Sequence, residues 1–377
     1  MNINELGLPV SIINGLQKQK ITTATKVQEA VIGIIRENKD VIVQSETGSG
    51  KTLAYLLPLY EKVLLAERGM KVLILVPTHE LAMQIHKQVQ LLSKNSEVEV
   101  TSTTIFGDVN IERQIDNLKK KPQIVIGTTG RILELIKKRK ITAHTIQTIV
   151  VDEADKMLDK NNIEGVKAVI KCCMRDTQLL MFSASISKAT IAEAEKLAKN
   201  PEVLKLTENI TIPKNIEHIY FEAEKRDKIE LLRKIAKSIN PSKAIIFINN
   251  VQDIEEATQK LQYHKFRAEC IHGSNMKADR KKVIEDFKTG KLQFLIATDI
   301  AARGLHFEGV SAVFHLSIPE EPTDYLHRAG RAGRGMEKGL SVSIVTKEEV
   351  SRIKAYQKAY QINILAKKMY QGKVVRK

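Results

Sequence analysis

Short apolar runs, each about the length of a strand and each followed by a stretch of helical periodicity, leave this chain few ways to fold. Val41-Ile42-Val43 is followed in turn by Val72-Leu73-Ile74-Leu75-Val76, Ile124-Val125-Ile126, Thr148-Ile149-Val150-Val151 and Leu179-Leu180-Met181-Phe182. Runs without polar alternation are strands buried on both faces, and strands separated by helices pair in parallel. Residues 1–37 precede them as amphipathic helices. The pattern fades near Asn200-Pro201, and the stretch 206–214, with Pro213, reads as a linker. Apolar runs then return at 244–248, 294–297, 312–315 and 340–345. The expectation is two α/β domains over residues 1–207 and 215–366, a linker over 208–214, and a short basic tail over 367–377. A chain of 377 residues has room for two cores of about 150–200 residues each.

Composition narrows the setting. No apolar run reaches the roughly 18 residues of a membrane span, and Met1-Asn2-Ile3-Asn4-Glu5 lacks the basic and apolar parts of a signal peptide, so a cytoplasmic protein is expected. Three cysteines, Cys172, Cys173 and Cys270, cannot build a disulfide framework, and no Cys/His spacing suggests zinc. The net charge is +16, and residues 211–377 hold most of it, with 31 basic against 20 acidic side chains. Such an excess favours polyanions through counterion release. By itself it serves solubility equally well.

Three clusters fall where such sheets bind ligands, just past the carboxyl ends of strands. Ser45-Glu46-Thr47-Gly48-Ser49-Gly50-Lys51-Thr52 sits between the first apolar run and a helical stretch, and departs from the G-x-x-x-x-G-K-[ST] loop only in having Ser45 for the first glycine. Its glycines let backbone N–H groups converge on a phosphate, Lys51 would neutralise the β- and γ-phosphates, and Thr52 would take Mg2+. The loop is expected to bind a nucleoside triphosphate. Asp152-Glu153-Ala154-Asp155 follows the strand ending at Val151. There Asp152 would hold Mg2+ through water, and Glu153 would orient and deprotonate the attacking water. Alone, that cluster reads as an acidic helix start; paired with the loop, it reads as phosphoryl-transfer chemistry. In the second half, His327-Arg328-Ala329-Gly330-Arg331-Ala332-Gly333-Arg334 spaces three arginines by three residues. On a helix they would share roughly one face and stabilise a transferring phosphoryl group, with ATP between the domains.

Taken together, these stretches resemble the DEAD-box RNA helicases of superfamily 2, over residues 3–348 and in the family's motif order. The resemblance implies two tandem RecA-like domains, each a mainly parallel sheet with helices on both faces, and an RNA-stimulated ATPase that unwinds RNA. It implies that Gln28 reads adenine and that Gly304 lies in the nucleotide site. It places RNA-backbone contacts at Pro77, Thr78, Gly107, Thr128, Gly130 and Arg131 in the first domain, and at Arg280 and Thr298 in the second. Ser183, Ser185 and Asp155 would couple hydrolysis to domain movement. Arg331 and Arg334 inherit the γ-phosphate role, with His327 bridging to the acidic motif. A minimal, monomeric core of this kind would find RNA through its basic surface or through partner proteins, with ribosomal precursors a plausible substrate. A non-unwinding RNA clamp and a DNA translocase are the competing readings.

The departures concern the base and ribose end. Ile3 and Ile21 stand where the family has aromatic residues, His79 replaces arginine, Asp108 and Lys277 replace a glycine and a glutamine, and His306 replaces an aspartate near the nucleotide. Weaker base stacking and a slower or weaker-binding ATPase are therefore expected. Restoring the carboxylate with His306→Asp should lower the Michaelis constant for ATP or raise the RNA-stimulated rate; no change in either would refute this.

Overall fold

A computed structural model describes residues 1–46, 48–67, 69–107, 109–206, 215–272, 277–302, 307–333 and 338–377. The expected linker at 208–214 lies outside these. The chain forms two compact units, Met1–Glu208 and Asn209–Lys377.

The first unit is a seven-stranded sheet. Its strands are β1 (Val41–Gln44), β2 (Val72–Leu75), β3 (Ser102–Ile105), β4 (Ile124–Gly127), β5 (Thr148–Asp152), β6 (Gln178–Ser183) and β7 (Glu202–Lys205). They lie in the order β3-β4-β2-β5-β6-β1-β7, and every pairing is parallel. Because side chains alternate along a strand, each apolar run serves two cores. Val41 and Val43 join one core, packed by the helices Val10–Lys18, Lys26–Arg36, Lys51–Leu65 and His79–Ser96. Ile42 joins the other, with Ile132, Val166 and Ala194 from helices on the opposite face. Burying each such side chain is worth about 1.5–3 kcal/mol, so the uninterrupted apolar runs fix both layers. Gly127 is sterically required: a Cβ there would lie 1.9 Å from the Ile105 carbonyl oxygen on the neighbouring strand.

The second unit carries β8 (Ile216–Glu222), β9 (Ala244–Phe247), β10 (Ala268–Ile271), β11 (Phe294–Ala297), β12 (Ala312–His315), β13 (Gly339–Val345), β14 (Ile364–Tyr370) and β15 (Lys373–Arg376), in the order β10-β11-β9-β12-β13-β8-β14-β15. All pairings are parallel except that of β14 with β15. The last two strands correct the sequence reading. Residues 367–377, expected as a basic tail, belong to a β-hairpin on the sheet edge. Four lysines and an arginine in that stretch hid the apolar positions Met369 and Val374, which pack against the core beneath.

A buried polar chain ties the helix Pro322–Ala329 to this sheet. His218 Nδ1 pairs with Tyr325 Oη at 2.7 Å, Tyr325 Oη with Ser341 Oγ at 3.2 Å, and His315 Nε2 with the same Ser341 Oγ at 3.0 Å. The Tyr325 ring stacks on Tyr356, with 4.5 Å between centroids. Burial lowers the pKa of His218 to about 4. Burial and the nearby Arg328 charge hold His315 well below its ordinary value. Folding therefore disfavours the protonated imidazoles, so stability is complete above the unfolded-chain pKa near 6.5 and is lost as pH falls toward 4. For His218 the loss is about 3 kcal/mol across that window. Urea unfolding of the parent and of His218→Phe, followed by circular dichroism at stepped pH, should show the parent with the steeper pH dependence; parallel curves would remove His218 from the account.

Candidate nucleotide and RNA site

The loop after β1 is shaped by its own hydrogen bonds. Ser45 N–H donates to the Ser183 carbonyl at 3.0 Å, extending the pairing of β1 with β6 by one residue. Gly48 and Gly50 then adopt φ of +83° and +91°, in the left-handed region that glycine enters without penalty. Ser45 Oγ donates to Ser49 Oγ at 2.8 Å, and Ser49 Oγ to the Glu46 carbonyl at 2.7 Å. Lys51 opens the helix Lys51–Leu65 with Thr52 beside it, and its Nζ reaches back to the carbonyls of Ser45 (2.6 Å) and Glu46 (2.7 Å). Gln28 closes the loop from the other side. It is buried; its Nε2 donates to the Gly50 carbonyl at 3.3 Å, while its Oε1 accepts from Thr25 N–H at 3.0 Å. A Cβ at Gly50 would meet that Nε2 at 2.7 Å, so loop and glutamine fit only as a pair. Thr47 lies outside the described residues.

Asp152 ends β5 and is buried at the floor of the same edge. Its Oδ2 accepts from Tyr55 Oη at 2.9 Å, and its Oδ1 from Glu153 N–H at 2.9 Å. Burial, reinforced by the neighbouring Glu153, raises the Asp152 pKa to about 6, while Lys51 and the two donors act against the rise. Burial likewise lowers Lys51, against the pull of Asp152, Asp155 and Glu153. Sequence reading missed Tyr55. Its signal was a tyrosine one helical turn after Lys51 in an otherwise apolar run.

Glu153 has a left-handed backbone, φ +51°, a conformation that costs a non-glycine residue roughly 1–2 kcal/mol. Its Oε2 is buried with no hydrogen-bond partner among the described residues, and Lys156 Nζ stands 3.7 Å away. A buried carboxylate oxygen held in strained backbone and left without a hydrogen bond suits a group that engages water or a ligand. That orphan oxygen, with Asp152 and Thr52 on the same edge, fits a phosphate-bound Mg2+ and its waters.

Asp155 is locked to the end of β6. Ser183 Oγ lies 2.6 Å from its Oδ1, and Ser185 Oγ donates to its Oδ2 at 3.1 Å. Both serines are buried, and the Ser183 hydroxyl also accepts from Ser185 N–H at 3.3 Å. The three residues expected to act as coupling elements are thus one hydrogen-bonded cluster.

The residues expected to touch RNA gather on the other half of the same sheet edge, past β2, β3 and β4. Thr78 is buried and caps the helix His79–Ser96, accepting from Leu81 N–H at 3.3 Å, with Pro77 half-buried before it. Thr128 stands at the N-terminal boundary of the helix Thr129–Lys137, and Gly130 in its first turn is exposed. Arg131 donates to the Val109 carbonyl at 3.1 Å and pairs with Glu134 at 3.0 Å. Gly107 is half-buried past the end of β3. His79 stacks on Phe106, centroids 4.3 Å apart. Ile3 is 1% exposed inside the first unit's core, and Ile21 packs against that core. Ile3 presents no open face to a base, and Ile21 is half-buried.

In the second unit, Thr298 Oγ1 accepts from Ala301 N–H at 3.1 Å, and Arg280 donates to the Ala301 carbonyl at 2.9 Å, bringing these two residues together past β11. The arginine series departs from expectation. The helix ends at Ala329, so Arg331 lies in the turn beyond it and does not share a helical face with Arg328. Arg328 is buried and occupied. It grips Asp299 with Nε at 2.6 Å and Nη2 at 2.5 Å, and its guanidinium lies 4.9 Å from the Phe247 ring centre. Gly330, with its small volume and low helix propensity, allows the chain to leave the helix there. His327 is half-buried in the last helical turn. Arg334, Gly304 and His306, like Asp108 and the side chain of Lys277, lie outside the described residues.

Among its described residues the second unit shows no phosphate loop of its own. The helix after β8 also opens on a lysine, but Lys228 Nζ is buried on the Leu316 carbonyl (3.1 Å) and Glu349 Oε2 (2.5 Å). A carboxylate of the chain already neutralises it.

Fold and site define a phosphate-loop nucleotide-binding protein of two RecA-like units, the first carrying the loop and its carboxylates. Residues 25–194 match the DEAD/DEAH box helicase family, and residues 227–336 the helicase conserved C-terminal domain. The DEAD-box ATP-dependent RNA helicase CshC of Bacillus cereus is 38% identical over 95% of this chain and 91% of its own length. YfmL of Bacillus subtilis, a probable ATP-dependent RNA helicase, is 38% identical over 92% of this chain and 91% of its own. The structure of S. cerevisiae Dbp5 bound to RNA and ADP BeF3 matches with a TM-score of 0.87 at 28% identity, covering 97% of this chain and 95% of that one. The chain belongs to the DEAD-box ATP-dependent RNA helicases. Among its described residues no helix is long and apolar enough to cross a membrane.

The clustering of Asp155 with Ser183 gives a direct measurement. A double-mutant cycle of Ser183→Ala with Asp155→Asn, read by urea unfolding, should return a coupling energy of about 1–3 kcal/mol. Additive effects within error would mean the short contact carries no energy.

Proposed function

We propose that this protein spends ATP to grip a short stretch of RNA and locally separate or remodel its duplexes. The observation that carries the reading is the division of one sheet edge. Phosphate loop and carboxylates stand past β1, β5 and β6, and candidate RNA contacts past β2, β3 and β4, so one rigid sheet sets the distance between the two ligands.

The phosphates of ATP would lie on the N–H groups of residues 45–52, including Ser45, Glu46, Thr47, Gly48, Ser49 and Gly50, at the N-terminus of the helix Lys51–Leu65. Lys51 exchanges the Ser45 and Glu46 carbonyls for phosphate oxygens, and Gln28 reads the adenine edge beside Gly50. Thr52 and Asp152 are the residues that would hold Mg2+, which when bound neutralises the phosphate charge. Glu153 orients the attacking water and takes its proton, a general-base role for which its unpaired Oε2 is suited. His327, Arg331 and Arg334 are the second unit's contribution to this chemistry, with Gly304 near the ribose, and ATP bound in a cleft between the units would draw them together. A guanidinium is always charged and matches phosphate oxygens in two places, which suits Arg331 and Arg334 to the charge that develops as the phosphoryl group leaves.

RNA would be held through its phosphates and 2′-hydroxyls by Pro77, Thr78, Gly107, Thr128, Gly130, Arg131, Arg280 and Thr298. Contacts of that kind read shape more than sequence. Asp155, Ser183 and Ser185 join the end of β6 to the acidic motif, so a change at the γ-phosphate is felt one residue from Ser45. The working form is a monomer, and structured ribosomal precursors are a substrate class that suits sequence-independent contacts. A clamp that closes on RNA without unwinding would use the same residues.

Glu153→Gln separates binding from chemistry. The parent should hydrolyse ATP faster with RNA than without it, and the variant should lose hydrolysis by about 100-fold or more while still binding RNA in the presence of ATP. A parent whose ATPase ignores RNA would defeat the proposal. A parent that hydrolyses ATP on a short duplex yet releases no strand would favour the clamp.

A further inference from the structure

The hairpin β14–β15 carries a surface that the proposed ATP and RNA site does not use. In an antiparallel pair, residues directly opposite one another point to the same face. Met369 faces Val374, and both pack against the second unit's core, whereas Tyr370 faces Lys373 and Lys368 faces Val375 on the other side. That outer face therefore lines up Lys368, Tyr370 and Lys373. The tyrosine is 59% exposed, both lysines are exposed, and neither lysine makes an ion pair among the described residues. The far end is pinned by Lys377, whose Nζ pairs with Glu222 on β8 at 2.7 Å and whose N–H donates to the Ala366 carbonyl at 3.2 Å. Residues 367–377 contain five basic side chains and no acidic one.

We propose that the outer face of this hairpin is a second contact for single-stranded RNA, in which a base stacks on Tyr370 and the flanking phosphates meet Lys368 and Lys373. This rests on the RNA-remodelling reading and adds to it a place for the strand outside the motifs already described. Lysines on a sheet edge also blunt unwanted strand pairing, and β15 is the last strand of the sheet. That role needs only the charges. It gives no reason for an aromatic ring to stand in water between two of them, whereas an aromatic flanked by cations is the common arrangement for holding an unpaired nucleotide. The neighbouring charge selects a polyanion over a protein groove, since no carboxylate of the segment is available to a basic partner. Two strands fixed to an eight-stranded sheet also present the ring without the ordering cost that a loose tail would bear.

The test uses the full chain and a labelled RNA duplex, either blunt or bearing a single-stranded extension, read by fluorescence anisotropy with a non-hydrolysable ATP analogue. Tyr370→Leu should weaken binding of the extended RNA about ten-fold and leave the blunt duplex unchanged, while Tyr370→Phe, which keeps the ring, should bind as the parent does. Lys368→Gln with Lys373→Gln should lower the slope of log affinity against log salt by about 1.4, the value for two single-strand phosphates. RNA-stimulated ATPase at saturating blunt duplex should stay at the parent level in every variant. If the parent shows no RNA-stimulated ATPase, it is the functional reading that has failed. If the parent is stimulated but Tyr370→Leu binds both RNAs like the parent, the hairpin contact is wrong; sedimentation of the double lysine variant as a dimer would then assign this edge to protection against self-association.

Discussion

The parallel ladder joining β5, β6 and β1 is the constraint on which the rest of the site depends. Gln44 lies opposite Ser183, and Asp152 opposite Phe182, so the ends of three neighbouring strands come level to within a residue. Backbone hydrogen bonds, not the site's own side chains, hold that alignment. A one-residue slip would turn every side chain to the other face, burying the loop's neighbours and expelling Val43 and Val151 from their cores. The chemistry is accurate because the cores on the two faces forbid the slip.

From that ladder follows an economy of charge. Asp152, Glu153, Asp155 and Lys51 crowd one edge, close enough for the three carboxylates to act on the lysine. Asp152 is satisfied by Tyr55, and Asp155 by Ser183 and Ser185. Of these carboxylates, among the described residues, only Glu153 keeps a buried oxygen outside any hydrogen bond, with Lys156 Nζ 3.7 Å from it. Leaving a buried polar atom unpaired costs about 1–3 kcal/mol, and the surrounding hydrogen bonds are what make that cost bearable at this one position. The second unit shows the contrast. Lys228 opens a helix as Lys51 does, but Glu349 fills the place of an anion and the position is purely structural.

Among the arginines, Arg328 is likewise an occupied group. Three evenly spaced guanidiniums look interchangeable in the sequence. In the structure Arg328 is buried against Asp299 and the Phe247 ring and serves to hold the turn that carries Arg331. Its pairing joins the motif after β11 to the helix Pro322–Ala329, and one turn earlier on the same face the His218–Tyr325–Ser341 chain fastens that helix to the sheet. Both contacts hold the helix from which the turn emerges.

The apolar runs sufficed to predict two parallel α/β units, because a strand buried on both faces leaves an unbroken hydrophobic signature. The phosphate loop and the acidic motif were equally legible as motifs, since each depends on residues adjacent in the chain. What the sequence could not reveal depends on residues far apart. Tyr55 meets Asp152 across 97 positions, Arg328 meets Asp299 across 29, and Ile3 enters a core instead of facing a base. The hairpin at 367–377 was missed because its basic residues mask an apolar face that only the sheet beneath it makes visible. Local chemistry is written in spacing. Which charges are already paired, and which remain to act, is decided by packing, because burial and partner geometry exist only once the strands are in register.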